Sequence, residues 1–197
     1  MINLPLLLRH AAICDLETTG LDPSRGSILS GGFISVANPQ RRLALECRAW
    51  EGAEVSEAAL QINGYTLERV RDRRLISEAE LVVRAVDWLV EHETLMLFGK
   101  FPYFDRGFLL KAWLRAGRTE SSFPVSYRVV DVHSIAVPIL LAMGYVMPAK
   151  GFTSEQIRAT LGLPTEAKPH RAMQGAQAAL EALVGLMQSR GAARLAA

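Results

Sequence analysis

Cysteine is scarce in this sequence: Cys14 and Cys47 are the only two. They form no metal-spaced pair, so neither a disulfide framework nor a cysteine zinc site is expected; two reduced core thiols of a cytoplasmic protein are. A long apolar run is also missing. The longest uncharged stretch, residues 134–149, falls short of a bilayer span and carries Pro138 and Pro148. The leucines of "MINLPLLLRH" are too few for the apolar region of a signal peptide, and Pro5 interrupts them. No membrane association is expected. Charge of one sign is lacking too. The formal net charge is +2, which neither demands nor excludes nucleic acid and lacks the signature of a DNA-coating protein. What positive charge there is comes mostly from Arg, which suits bidentate phosphate contacts. There is no low-complexity tract or internal repeat, and charged residues are 21%, so disorder is not expected. What is present is 197 residues of 50% hydrophobic composition, enough for one domain, 1–197, with a sizeable core.

Hydrophobic periodicity and turn residues divide the chain into alternating elements. Ala11 to Leu16 reads as a strand apolar on both faces, ended by Thr18-Thr19-Gly20 and an Asp22-Pro23 turn. Ile28–Val36 and Leu43–Trp50 read as a hairpin around "NPQR". "VSEAALQINGYTLERVRDRR" reads as short helices around an Asn63-Gly64 break, and its Arg-rich end as a solvated helix face. Ser77 with Glu80 three residues on is a capping box, opening a helix with an apolar stripe Leu81, Val82, Ala85, Val86, Leu89 and Val90. A short buried strand, "TLMLFG", precedes the helix "YFDRGFLLKAWLRAG"; a strand-to-helix segment, a short helix and a closing helix from His170 follow. The order predicts an α/β domain with a mixed, five-stranded sheet: an antiparallel meander on one side, parallel strands joined by helices on the other.

Within this frame a few polar residues stand out. Asp15 and Glu17 interrupt an apolar strand two positions apart, so they share a face about 6.5 Å apart. Two partly buried carboxylates that close repel, unless one keeps its proton or a cation lies between them. Magnesium or manganese suits carboxylate ligands; the ordinary alternative is a strand end where both acids reach water. Asp105 opens a helix just after a buried strand, where ligands gather in such sheets but where an acid also complements the helix dipole. His170 opens the last helix, a place that disfavours the imidazolium; a neutral imidazole can act as a base towards water.

The segments "CDLETTGLDP", "YFDRGFLL" and "HRAMQGAQA" occur in one fixed order. In them the chain resembles the DEDDh, or DnaQ-like, 3′–5′ exonucleases, the family of the epsilon subunit of bacterial DNA polymerase III and of ribonuclease T. "VSEAALQINGYT" and "VVDVHSIA" are similar to further family segments, and the likeness runs from about residue 10 to 187. The resemblance implies a ribonuclease H-like fold and hydrolysis of phosphodiesters from a nucleic-acid 3′ end, DNA or RNA, with two Mg²⁺ or Mn²⁺ ions. It implies Asp15, Glu17 and Asp105 as metal ligands, with Glu17 also in the catalytic set, and His170 as general base. Thr18, Thr19, Leu21, Ile62 and Asn63 match positions that face the terminal nucleotide. A polymerase or repair protein is an implied partner.

One departure bears on the chemistry. The family has an Asp five residues after the His; that position is Gly175, and no carboxylate lies between His170 and Glu181. Gln174 is turned about 100° away on a helix. "GKFPYFD" lacks the family's His-Asn before its Asp, and Ser30 replaces a common Glu. Two readings stay open: an exonuclease working with three acids at reduced activity, and a degenerate module that binds nucleic acid or a replication partner without cleaving. An unrelated α/β domain with solvated acids is the plainest alternative.

Overall fold

The computed structural model describes residues 8–189. The opening leucine run as far as residue 7, the last residue of the predicted closing helix and the ends of the predicted 1–197 domain lie outside them. The elements are β1 (Ala11–Thr18), β2 (Ile28–Ser35), β3 (Arg42–Arg48), α1 (Glu57–Asn63), α2 (Leu67–Val70), β4 (Ile76–Ser77), α3 (Glu78–Glu91), β5 (Met96–Gly99), α4 (Pro102–Arg115), a 3₁₀ turn (Glu120–Ser122), β6 (Val129–Asp131), α5 (Val132–Ala142), α6 (Ser154–Thr160) and α7 (Ala172–Gln188).

These elements make an α/β, ribonuclease H-like fold around one mixed sheet of order β4-β3-β2-β1-β5-β6. β1, β2 and β3 form the antiparallel meander; β5 and β6 run parallel to β1. The sheet has six strands, not five. The extra one is β4, which pairs with β3 only through Ile76 and Ser77. Two residues are too few to give an alternation that a sequence can display.

Side chains alternate across β1 into two cores. Ala12, Cys14 and Leu16 pack with Leu81, Val82, Ala85, Val86 and Leu89 of α3 and Phe108 and Leu109 of α4. Ala11 and Ile13 pack on the opposite face with Ala136, Ile139 and Leu140 of α5, Ile157 of α6 and Leu180, Leu183 and Leu186 of α7. The predicted stripe on α3 is buried except for Val90, which is exposed. Ser77 caps α3 by accepting the Glu80 N–H, but the Glu80 carboxylate pairs with Arg84 instead of closing the box. Both cysteines are buried and free, and burial pushes their thiols up. Arg69 and Arg74 are paired with Glu46 and Asp72 at the surface, as expected of a solvated face. No helix among the described residues is long and apolar enough to cross a membrane.

Candidate active site

The odd-numbered side chains of β1 face the α5–α7 layer. Ala11 and Ile13 are buried there, and the same row continues as Asp15 and Glu17 where that core opens into a cavity. The cavity measures about 480 Å³. Asp15, Glu17, Thr18, Leu21, Ile62, Asn63, Lys100, His133, Glu166, His170 and Gly175 are on its wall. β1, the loop after it, α1, the ends of β5 and β6, and the segment before α7 thus all contribute.

α7 crosses β1 and β2 at very short range. A Cβ on Gly32 of β2 would lie 2.6 Å from the Ala172 carbonyl, and one on Gly175 would lie 2.3 Å from Asp15 Oδ2. Gly175 therefore does more than omit an acid. Its missing side chain leaves the room that the Asp15 carboxylate occupies.

Asp105 reaches the same region from the other layer. It sits in the first turn of α4, 3% exposed, and its Oδ1 accepts the Leu16 N–H at 2.9 Å. It is not on the cavity wall; the helix turn pins it against the β1 backbone beside Asp15. His170 precedes α7 by two residues instead of opening it, because Arg171 is the N-cap. Its backbone N–H donates to the Ile62 carbonyl at 3.2 Å, tying it to α1.

Glu166 is the residue that sequence matching missed. Its Oε1 lies 3.3 Å from His170 Nδ1, and it shares the cavity wall with Asp15 and Glu17. It stands before His170 in the chain and not after it, where the resemblance implies an acid. The signal in the sequence was only spacing: an acid four residues before the histidine in "EAKPH".

The predicted substrate residues divide. Thr18, Leu21, Ile62 and Asn63 are on the wall, and Leu21 is 87% exposed at the mouth. Asn63 is buried; its amide donates to the Thr18 carbonyl at 3.1 Å and accepts the Tyr65 N–H at 3.2 Å. Thr19 is not on the wall. It is fully buried, its hydroxyl donating to the Glu54 carbonyl and accepting the Ser27 N–H, so it holds the turn after β1.

The acids feel one another strongly. Burial, then the charges of Asp105, Glu17 and Glu166, hold Asp15 well above the usual carboxylate range, and Lys100 offsets this only in part. Burial and Glu166 push Glu17 up to about 7 against the pull of Arg171. Burial, with a smaller contribution from Glu17, raises Asp105 to about 8 despite the Leu16 N–H and its own backbone N–H. Among the described residues, none of these three forms an ion pair with Lys or Arg. Converging oxygen donors with uncompensated charge fit a hard divalent cation. They do not form a finished cage: no group of three His, Cys, Asp or Glu among the described residues is disposed around one point. Asp15, turned into the room beside Gly175, accounts for part of that.

No model of a known protein family matches this chain, and no curated protein sequence does. Solved structures do. The chain superposes on *Escherichia coli* exonuclease I in its zinc-bound complex with single-stranded DNA at a TM-score of 0.73 and 18% identity, covering 94% of this chain and 42% of that one. The apo form of exonuclease I gives 0.72 at 18%, over 94% and 43%. Its product-bound form gives 0.71 at 17%, over 94% and 44%. The chain thus spans less than half the length of these neighbours, and at this identity the likeness is one of fold.

Proposed function

We propose that this chain is a 3′–5′ exonuclease of the DEDDh type, hydrolysing phosphodiesters at single-stranded nucleic-acid ends with Mg²⁺ or Mn²⁺. The observation that carries the reading is a set of acids with no Lys or Arg ion-pair partner among the described residues: Asp15, Glu17 and Glu166 on one cavity wall with His170, and Asp105 behind Asp15. A binding-only surface has no physical need to hold buried carboxylates so far above their ordinary range. The neighbours' complexes with dA16 and dT13 support a single-stranded substrate.

Asp15, Glu17 and Asp105 would hold the metal, and Glu166 would supply the charge that Gly175 omits. The chemistry that divalent ions held there would supply is polarisation of the attacked phosphate and stabilisation of charge on the departing 3′ oxygen. The protein's own groups do the rest. Glu166 Oε1 lies 3.3 Å from His170 Nδ1; a proton kept on Nδ1 towards that carboxylate would leave Nε2 to take the proton of the attacking water. Leu21 and Ile62, both exposed at the mouth, flank the place of the terminal base, and Thr18 and Asn63 fix the strand end beneath it. Asp105 buttresses Asp15 from behind through its bond to the Leu16 N–H.

The test is degradation of a 5′-labelled single-stranded DNA and its RNA counterpart, in Mg²⁺ and in Mn²⁺. Stepwise shortening is expected, abolished by Asp15→Ala; the ratio of the two substrates sets the sugar preference. Gly175 itself favours a second reading, a module that binds nucleic acid or a polymerase or repair protein without cleaving. Cleavage by Gly175→Asp alone would favour that second reading. No cleavage by any form on either substrate would defeat the enzyme reading.

A further inference from the structure

Two non-glycine residues among those described have positive φ: Glu93 at 52° and Phe101 at 53°. Glu93 follows α3, where its N–H bonds back to the Val90 carbonyl. A left-handed residue is the usual way to end a helix. Phe101 is different. It is the N-cap of α4, with φ 53° and ψ 49°, and its side chain makes no capping hydrogen bond. An N-cap ordinarily has extended backbone and a short polar side chain. Phe101 breaks both preferences at once. Its aromatic ring does not gain this back by burial, for it is 45% exposed. The conformation is imposed from outside: the Asp131 carboxylate, which also caps α5, accepts the Phe101 N–H at 3.2 Å.

The ring stands in a specific place. Its centroid is 5.7 Å from the His133 ring and 6.1 Å from that of Tyr103, which is 62% exposed. His133 and Lys100, on either side of it, are on the wall of the acidic cavity. Backbone strain kept at such a position points to use and not to fold.

We propose that Phe101 is a base-stacking platform, with Tyr103 beside it, for an unpaired base of a single-stranded nucleic acid lying next to the one held at the acids. An aromatic face takes any base, and Lys100 supplies positive charge for the adjoining phosphate. A duplex, whose bases are already stacked, gains nothing from the ring. This rests on the nuclease reading above, and its failure is separable from the failure of that reading.

The experiment measures the anisotropy of labelled dT12 and of a 12-base-pair duplex in Ca²⁺, alongside thermal melting, for the intact chain, Phe101→Asn and Phe101→Trp. Asn tolerates the left-handed region and can cap. Phe101→Asn is therefore expected to melt about 3–6 °C higher while binding dT12 roughly 5- to 100-fold more weakly. Duplex binding should be unchanged, and Phe101→Trp should bind dT12 like the intact chain. A more stable Asn variant that binds dT12 normally would overturn the platform and leave the nuclease reading standing. So would equal losses on single strand and duplex, or a lowered melting temperature. Failure of the intact chain to bind dT12 at all would remove both.

Discussion

Acids at two places in this protein meet opposite treatment. Glu78, at the start of α3, is 1% exposed and completely satisfied. Its carboxylate takes both arms of Arg115 at 2.8 and 2.9 Å, the Ser27 hydroxyl at 3.0 Å and the Ile28 N–H at 2.9 Å. Asp15 and Glu17, some ten residues earlier than that hydroxyl, have no guanidinium in ion-pair contact among the described residues and face further carboxylates. The same chain thus has the means to neutralise a buried acid and does not apply them at the cavity. The difference separates an acid that holds the fold from acids that wait for something outside the chain.

Breaking the satisfied acid should have the largest effect. Glu78→Ala takes the carboxylate from the half-buried Arg115, which keeps only the Pro23 carbonyl, and strips the Ile28 N–H of its side-chain acceptor. Removal of one member of a buried pair costs about 3–5 kcal/mol. A melting temperature lower by about 6–20 °C is expected for a chain of this length, with metal binding intact in whatever remains folded. A loss below 1 kcal/mol in chemical denaturation would erase the contrast.

The unsatisfied acids should show themselves through pH. The folded chain keeps a proton on Glu17 up to about pH 7, whereas an unfolded chain releases it near 4.5. Between those values the folded state binds more protons, so stability declines as pH rises. Asp105, raised from 3.8 to about 8, extends the decline upward. In EDTA the Glu17 contribution is on the order of 2 kcal/mol. Melting should therefore fall by several degrees from pH 4.5 to 7, Glu17→Gln should flatten the slope, and Mn²⁺ should stabilise more at pH 8 than at pH 5. A flat EDTA profile would mean that the acids are compensated after all.

How much of this was written in the sequence follows the same division. The acids of β1 were legible because a charge inside an apolar strand violates the pattern around it, and its partner two residues on must share its face. The layers on either side of β1 were legible for the same reason of alternation. β4 was not, being two residues long. Nor was Glu166, because its place depends on the path of a loop between α6 and α7 that no periodicity encodes. Thr19 is buried and not on the cavity wall although it adjoins Thr18, because β1 bulges between Glu17 and Thr18 and the chain then turns inward to Ser27 and Glu54. Gly175 was read as a missing ligand, whereas only the packing of α7 on the sheet reveals it as room for Asp15.

Glu166 sharpens the comparison from the side of the ligand. If it supplies the fourth negative charge, Glu166→Gln should weaken Mn²⁺ binding about 10- to 100-fold, read by calorimetry without nucleic acid. The melting temperature in EDTA should stay the same or rise, since one repelling charge is gone. Unchanged Mn²⁺ affinity would leave Glu166 only as the partner of His170.

The smallest effect should come from the residue that first looked most damaging. Gly175→Ala adds a methyl group where Asp15 Oδ2 now stands, 2.3 Å from the new Cβ. Ala is favoured over Gly inside a helix by about 1 kcal/mol, and a carboxylate on a single methylene can rotate away at modest cost. The two nearly cancel, so stability should change by less than about 1 kcal/mol. Rotation would take the Asp15 carboxylate off Gly175 within the cavity it shares with Glu17 and Glu166. Mn²⁺ affinity should then hold within about threefold or tighten, because binding gathers those same oxygens. A tenfold loss of affinity would show instead that Asp15 ligates from its place against Gly175, and that glycine at this position is a requirement of the site.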